Sequence, residues 1–114
     1  MLDLLTTKGN VVNISNMKAV ALVRTRIVYS PVAFAELVLW QLPSPTPGST
    51  HHFKYRLAYV VQGVCVLRYD NEAGKGDHRH YHGTESTYVF TDPDRLITAF
   101  QADIARWNRE NSDS

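Results

Sequence analysis

The sequence has one cysteine, Cys65, and no hydrophobic run long enough to cross a membrane. A single cysteine cannot form an internal disulfide, and a membrane-spanning helix needs about 20 consecutive apolar residues. Apolar stretches such as 37–40 and 58–61 are far shorter. Residues 1–15 also lack the basic start, apolar stretch and cleavage site of a secretory signal. We therefore expect a cytoplasmic protein with no membrane partner.

The common cofactor and hydrolase motifs are also missing. The chain has no Walker loop, no dinucleotide-binding glycine fingerprint, no paired Cys-x-x-Cys zinc motif and no Gly-x-Ser-x-Gly elbow. We expect no cofactor and assign no metal ligands. Any chemistry must then come from the side chains themselves.

The composition is that of one folded domain. The chain has 114 residues, of which 44% are hydrophobic, 20% charged and 11% aromatic, which suits a single modest core. We expect the domain to span residues 17–110, with a flexible arm at 1–16 and a disordered tail at 111–114. A start at Met17 would keep every predicted element.

The net charge of +1 hides an uneven distribution. Residues 51–82 carry five Lys or Arg against three acidic residues and contain all five histidines, whereas residues 83–114 carry six acidic residues against three basic ones. A basic, histidine-rich middle beside an acidic end suggests an anionic ligand, although a solvated mixed surface has the same composition.

Alternating apolar and polar residues predict an antiparallel sheet. The predicted strands cover 18–29, 32–42, 52–61 and 64–71, followed by two short strands at 78–82 and 86–90 around Gly83. The proline-rich segment 43–49 cannot donate a full ladder of backbone hydrogen bonds, so we expect an exposed loop. Cys65 lies between two valines in a strand-like run and is expected in the core.

The dipeptide Gln62-Gly63 between two strand patterns is typical of a two-residue hairpin turn. Such a turn pairs Val61 with Val64 and fixes the rest of the register. Opposed residues share a face of the sheet. This register predicts one cluster on one face, formed by Lys54, Arg56, Tyr69 and Asn71.

A helix is predicted at the C-terminal end. Thr91 or Asp92 can act as N-cap, with Pro93 in the first helical position and Asp94 in the first turn, and the pattern continues to about Asn108. One apolar stripe is formed by Leu96, Ile97, Phe100, Ile104 and Trp107. We therefore predict an α+β fold, with a single antiparallel sheet of five or six strands and one C-terminal helix packed across it.

The candidate site is the polar stretch from Arg68 to His82. In a strand, His78, His80 and His82 point the same way and could converge on one ligand. Histidine can both remove and donate protons near neutral pH, and arginine or lysine can stabilise charge on a phosphate. This combination suits RNA cleavage without a metal ion.

Two other interpretations fit the same residues. Two or three of these histidines with Asp70 or Asp77 could hold a metal ion, although His-x-His alone is a weak metal signature. The segment could also be an exposed polar hairpin with no special role. For His51 and His52, beside the proline-rich loop, a role as ordinary surface residues is favoured.

Four stretches of the sequence resemble a known family, the TumE toxins. They are FAELV at 34–38, PGSTH at 47–51, FKYRL at 53–57 and VCVLRYDNEAGKGDHRH at 64–80. The distinctive part is the Arg-Tyr-Asp-Asn block followed by a His-x-His pair. The resemblance implies a type II toxin encoded beside a helix-turn-helix antitoxin, with an activity described as that of an mRNA interferase.

The resemblance also bears on individual residues. Those matching the core motif are Arg68, Tyr69, Asp70, Asn71, His78 and His80, and those matching the preceding strand are Lys54, Tyr55 and Arg56. Our hypothesis makes His78 and His80 the acid–base pair, with Asp70 as a third catalytic residue. The expected substrate-binding residues are Lys54, Arg56, Arg68, Tyr69, Asn71 and Lys75.

The expected partners are RNA and the cognate helix-turn-helix antitoxin, and a homodimer or a larger toxin–antitoxin assembly is compatible with the sequence. Two functions from other classes compete with RNA cleavage by histidines. One is a toxin or antitoxin-dependent regulator that acts only by binding, with the polar hairpin as its docking surface. The other is a metal-dependent nuclease.

Overall fold

A computed structural model describes residues 18–112 of the protein. The six strands are β1 (Val20–Ser30), β2 (Ala33–Gln41), β3 (Phe53–Val61), β4 (Val64–Glu72), β5 (Gly76–Tyr81) and β6 (Thr84–Thr87), and the helix is α1 (Pro93–Glu110). The strands form one antiparallel sheet in chain order. The predicted α+β fold is confirmed. The predicted arm at 1–16 and residues 113–114 of the predicted tail lie outside the described residues.

The sheet has one face covered by α1, which we call the helix face, and an opposite face that we call the open face. Along β2 the residues of the helix face are buried, whereas their neighbours on the open face are only partly buried. The buried ones are Ala33, Ala35, Leu37 and Leu39. The core therefore lies between the sheet and α1, on one side of the sheet.

The helix begins and packs as predicted. Asp92 is the N-cap, and its side chain accepts a hydrogen bond of 2.8 Å from the Arg95 N–H, while Pro93 occupies the first turn. Leu96, Phe100 and Ile104 are buried against the sheet. α1 ends at Glu110, two residues beyond the prediction, and the Asn111 N–H caps it by donating to the Trp107 carbonyl. No helix within residues 18–112 is long and apolar enough to cross a membrane.

The predicted register of the β3–β4 hairpin is correct at the turn and wrong beyond it. Gln62 and Gly63 both have positive φ, as a type I′ turn requires, and Val61 pairs with Val64. A β-bulge follows, because Val60 pairs with Cys65 while Tyr59 pairs with Leu67, which leaves one extra residue on β4. From there every pair is shifted by one residue.

Two predictions for β4 are wrong, and the bulge explains the first of them. Arg56 faces Asp70 instead of Tyr69, so the predicted cluster of Lys54, Arg56, Tyr69 and Asn71 does not form. Shifting the register by one residue sends the side chains of β4 to the other face. Tyr69 is therefore buried beneath α1. Cys65 precedes the bulge and pairs with Val60 as the predicted register requires, but it is exposed and not in the core as expected.

Asn71 joins β4 to the backbone of β3 through its side chain. It is fully buried, at 0% exposure. Its Oδ1 accepts from the Tyr55 N–H at 2.9 Å, and its Nδ2 donates to the Phe53 carbonyl at 2.7 Å. The Lys54 Nζ also donates to the Asn71 carbonyl at 2.9 Å. Asn71 thus continues the strand pairing where the β3–β4 register ends at Arg56 and Asp70.

A partly buried ionic contact joins α1 to the sheet. Arg79 on β5 donates from Nε and Nη2 to the two carboxylate oxygens of Asp103, at 2.8 and 3.0 Å. The Tyr69 hydroxyl donates to the same carboxylate at 2.7 Å. Burial raises the pKa of Tyr69, and its hydrogen bond to Asp103 raises that pKa further. Such a bidentate pair fixes orientation as well as distance.

The loop between β2 and β3 is held in its middle and near its C-terminal end. The side chain of His51 stacks on the Phe90 ring at 3.9 Å, and its Nε2 lies 2.8 Å from an oxygen of Asp77. In the middle of the loop, the Pro47 carbonyl accepts from the Gly74 N–H at 2.6 Å. A Cβ added to Gly48 would lie 3.0 Å from the Gly74 Cα. His51 therefore has a structural role in holding the loop.

We predict that Asn71→Ala destabilises the protein strongly. The substitution leaves the buried Tyr55 N–H and Phe53 carbonyl without their partner, which costs about 2 to 4 kcal/mol in the free energy of unfolding. The matched control is Asn111→Ala, which removes an exposed amide that donates to the Trp107 carbonyl and should cost less than about 1 kcal/mol. Urea unfolding followed by circular dichroism measures both. Equal costs for the two variants would contradict the role given to Asn71.

We also predict a loss of stability at alkaline pH that depends on Tyr69. Its pKa is raised in the folded protein above the ordinary value of 10.0, so its contribution is complete below about pH 10. That contribution is lost as the pH rises towards the folded pKa, because the unfolded chain releases the proton first. Above pH 10, the free energy of unfolding should fall with rising pH less steeply in Tyr69→Phe than in the parent protein. The two slopes should differ by about 1.4 kcal/mol per pH unit. The two slopes should be equal between pH 7 and 9; equal slopes above pH 10 as well would refute the prediction.

Candidate functional site

The candidate catalytic residues lie on the open face, in two rows that cross the sheet from strand to strand. The first row is Arg24, Val38, Arg56, Asp70, His78 and Thr87. The second row is Arg26, Glu36, Ala58, Arg68, His80 and Glu85. The sheet therefore brings both histidines, Asp70, Arg56 and Arg68 onto one surface that α1 does not cover.

His78 lies between two oxygen acceptors. Its Nε2 is 2.7 Å from the carbonyl oxygen of Lys75, to which it donates. Its Nδ1 is 3.1 Å from Oε2 of Glu85, although this contact is not aligned as a hydrogen bond. The side chain is 19% exposed. Both ring nitrogens of His78 therefore face oxygen atoms that can accept hydrogen bonds.

His80 lies beside Arg68, which determines its tautomer. The Arg68 Nη2 is 2.8 Å from the His80 Nε2. A guanidinium has donors and no acceptor, so this nitrogen of the imidazole must accept the bond. In this arrangement the Nε2 lone pair points at Arg68, and the ring proton belongs on Nδ1. The same Nε2 is 3.7 Å from Oε2 of Glu85, so one carboxylate oxygen lies close to both histidines.

Asp70 contacts Arg68 and not the histidines. Its Oδ2 is 3.0 Å from the Arg68 Nε, and its side chain is 13% exposed. This carboxylate lies beside the guanidinium that contacts His80, although the Nε contact is not aligned as a hydrogen bond. The structure thus gives Asp70 a positioning contact with Arg68, next to the histidine pair.

Glu85 is the member of the site that the sequence interpretation missed. It lies on the edge strand β6 with its side chain 52% exposed. A signal was present, because His82-Gly83 is a second X-Gly turn, and both residues have positive φ. Such a turn pairs Tyr81 with Thr84 and His80 with Glu85. The prediction of 86–90 as the last strand placed Glu85 in the turn instead.

Basic residues continue the site across β1 and β3. Arg24 and Arg56 are exposed and flank Val38 in the first row. Within residues 18–112, neither guanidinium has a carboxylate within ion-pair distance. Lys54 lies beside Arg56 on the same face, and Lys75 lies in the exposed turn between β4 and β5. This part of the open face is suited to an anionic ligand.

Three of the residues considered at first lie away from this surface. Tyr69 and Asn71 belong to the helix face, where both are buried and hydrogen-bonded. His82 lies in the turn, and its Nδ1 is 3.4 Å from the Trp107 Nε1, so it does not join His78 and His80. Over residues 18–112, no three His, Cys, Asp or Glu side chains are arranged to hold a metal ion.

We predict that neutral His80 carries its proton on Nδ1 in the ligand-free protein, because Arg68 donates to Nε2. Nitrogen-15 chemical shifts of the imidazole, measured above pH 8, distinguish the two tautomers. Arg68→Met should remove this constraint, so the nitrogen-15 chemical shifts of His80 should move towards those of a mixture of the two tautomers. Arg95→Met, on the exposed start of α1, should change nothing. A dominant proton on Nε2 in the parent protein would be incompatible with the contact.

Comparison with known proteins gives one result. The family model described as Toxin TumE matches residues 5–108, which include residues 5–16 of the predicted arm. No match was found among curated proteins or among solved structures. The match covers nearly the whole chain and contains every residue of the candidate site. The chain therefore belongs to the TumE family of toxins.

Proposed function

We propose that this protein is the toxin of a type II toxin–antitoxin pair and cleaves RNA on its open face. The observation that carries the proposal is the placement of two histidines around one oxygen of Glu85, with Arg68 in contact with one of them. Metal-independent RNA cleavage needs these groups, namely a base for the 2′-OH, an acid for the leaving oxygen and a cation for the phosphate.

His80 is the proposed base. Its Nε2 has a lone pair, because it accepts from Arg68 in the absence of substrate. A phosphate that takes over the hydrogen bond from Arg68 frees this lone pair for the 2′-OH proton. The 2′-oxygen then attacks phosphorus and forms a 2′,3′-cyclic phosphate.

His78 is the proposed acid. Lys75 and Glu85 each present an oxygen acceptor to one of its nitrogens. A doubly protonated imidazole can donate to both oxygens at once. It donates its Nδ1 proton to the departing 5′-oxygen as the P–O bond breaks. The product is a 5′-hydroxyl, and the charge balances because His80 gains the proton that His78 loses.

The cationic residues bind the phosphates. Arg68 stabilises the charge on the scissile phosphate, and Asp70 positions its guanidinium. Arg56 and Lys54 bind the backbone of the strand on β3, and Lys75 lies beside His78 in the β4–β5 turn. Tyr69 and Asn71, which we first expected to bind substrate, are proposed to support the sheet instead.

The proposed setting follows from the family and the surface charge. A toxin of this kind acts in the cytoplasm, where its RNA substrate lies, and is held inactive by a helix-turn-helix antitoxin. An acidic segment of that partner would complement the basic part of the open face and block it. A homodimer or a larger toxin–antitoxin assembly leaves these roles unchanged if the open face stays accessible.

The test is RNA cleavage by purified toxin freed of antitoxin, with and without EDTA, using a defined single-stranded RNA. We expect EDTA-resistant cleavage that leaves 2′,3′-cyclic phosphate and 5′-hydroxyl ends. His78→Ala with His80→Ala should lower the rate at least about 100-fold, because losing even one general acid or base costs about 100- to 10,000-fold. His52→Ala is the matched control, because His52 is exposed and lies outside both rows.

The outcomes separate the competing functions. Cleavage that EDTA abolishes and a divalent ion restores would assign the histidines to a metal site. An absence of cleavage at any protein concentration, with toxicity retained in cells, would favour a toxin that acts by binding. Full activity in the double histidine variant would refute the proposed roles.

A further inference from the structure

Trp40 lies on the open face and belongs to no part of the mechanism described so far. It is on β2, where it pairs with Lys54 of β3 and Ala21 of β1. Its side chain is partly exposed and is not among the residues of the core cluster, which lies on the helix face. A large aromatic ring that faces away from the core, beside a lysine, requires another explanation.

The position of Trp40 relative to the histidines suggests a role in binding the substrate. Neighbouring strands are about 4.8 Å apart, so β2 lies about 14 Å from β5 across the sheet. The residues on the open face between them include Lys54 and Arg56 on β3 and Arg68 on β4. A strand of nucleic acid whose phosphates follow these cations from the histidines would place a neighbouring base over β2.

The chemistry of this part of the face favours a base over other groups. Val38 gives an apolar floor next to Trp40, between the exposed Arg24 and Arg56. Stacking requires an unpaired base whose ring is free, whereas the cations require the phosphates of the same strand. Aromatic rings interleaved with basic residues are the usual surface for single-stranded nucleic acid.

We infer that Trp40 is a base-stacking subsite for single-stranded RNA, a few nucleotides from the scissile phosphate. The inference rests on the proposed function and adds a substrate class to it, because a base within a duplex cannot stack on Trp40. Trp40 binds the strand and takes no part in proton transfer. Its removal should therefore raise KM and leave kcat nearly unchanged.

The first measurement uses fluorescence. The chain has two tryptophans, so Trp107→Phe leaves Trp40 as the only one. In this variant, with His78→Ala and His80→Ala to prevent cleavage, a short single-stranded RNA should quench Trp40 in proportion to binding. Anisotropy of the labelled RNA measures binding independently. Inorganic polyphosphate carries the charge without bases and should bind without quenching.

The second measurement uses variants of the active protein. Trp40→Leu should weaken RNA binding about five- to 150-fold and raise KM by a similar factor. Trp40→Phe should recover part of the loss, because it keeps an aromatic ring. Phe34→Leu is the matched control, since Phe34 lies on the same face of β2 but at the other end, beneath Arg26 at 4.2 Å. It should leave KM unchanged, and thermal unfolding checks that all variants are folded.

The outcomes distinguish this inference from the proposed function. RNA that binds and is cleaved while Trp40 is not quenched, or while Trp40→Leu keeps the parent KM, would overturn the stacking subsite and leave RNA cleavage intact. Duplex RNA that binds and quenches as well as single-stranded RNA would also overturn it. RNA that does not bind at all would overturn both.

Discussion

The extra residue in β4 next to the β3–β4 turn determines which side chains of this strand reach the solvent. Without the bulge between Tyr59 and Val60, Tyr69 would share a face with Arg56. With the bulge, Arg68 and Asp70 face outwards and Tyr69 packs beneath α1. β5 pairs with β4, so the same shift directs His78 and His80 to the open face and Arg79 to Asp103. A local irregularity of one residue thus separates the core of this protein from its candidate site.

Elements with a strong local signal could be predicted from the sequence. The proline after Asp92 and the apolar stripe of α1 fixed the start and the buried side of the helix, and alternation indicated the strands. The face of the sheet on which each β4 side chain lies could not be predicted in this way. A bulge depends on how the twisted strands pack, and the alternation of residues from Val64 to Asn71 does not indicate it. Asn71 shows the same limit, since a polar residue in a motif can serve the sheet as well as a substrate.

The histidines were predictable as residues but not as a pair with different roles. Their identity and spacing place them on one face of a strand, yet they do not show which neighbour contacts which ring nitrogen. That difference comes from Arg68, which reaches only His80, and from the Lys75 carbonyl, which reaches only His78. Two identical side chains therefore acquire different hydrogen-bond environments through their partners on β4 and in the β4–β5 turn.

The contact between Gly48 and Gly74 links the loop after β2 to this arrangement. Gly74 belongs to the turn that also contains Lys75, whose carbonyl oxygen holds the ring of His78. A Cβ at position 48 would lie 3.0 Å from the Gly74 Cα, so the backbone of that turn would have to shift by a few tenths of an ångström. The orientation of one imidazole thus depends on a hydrogen atom at a position 30 residues earlier in the chain. Sequence variation in the proline-rich loop is therefore limited by the geometry of the site, even though no side chain of that loop belongs to it.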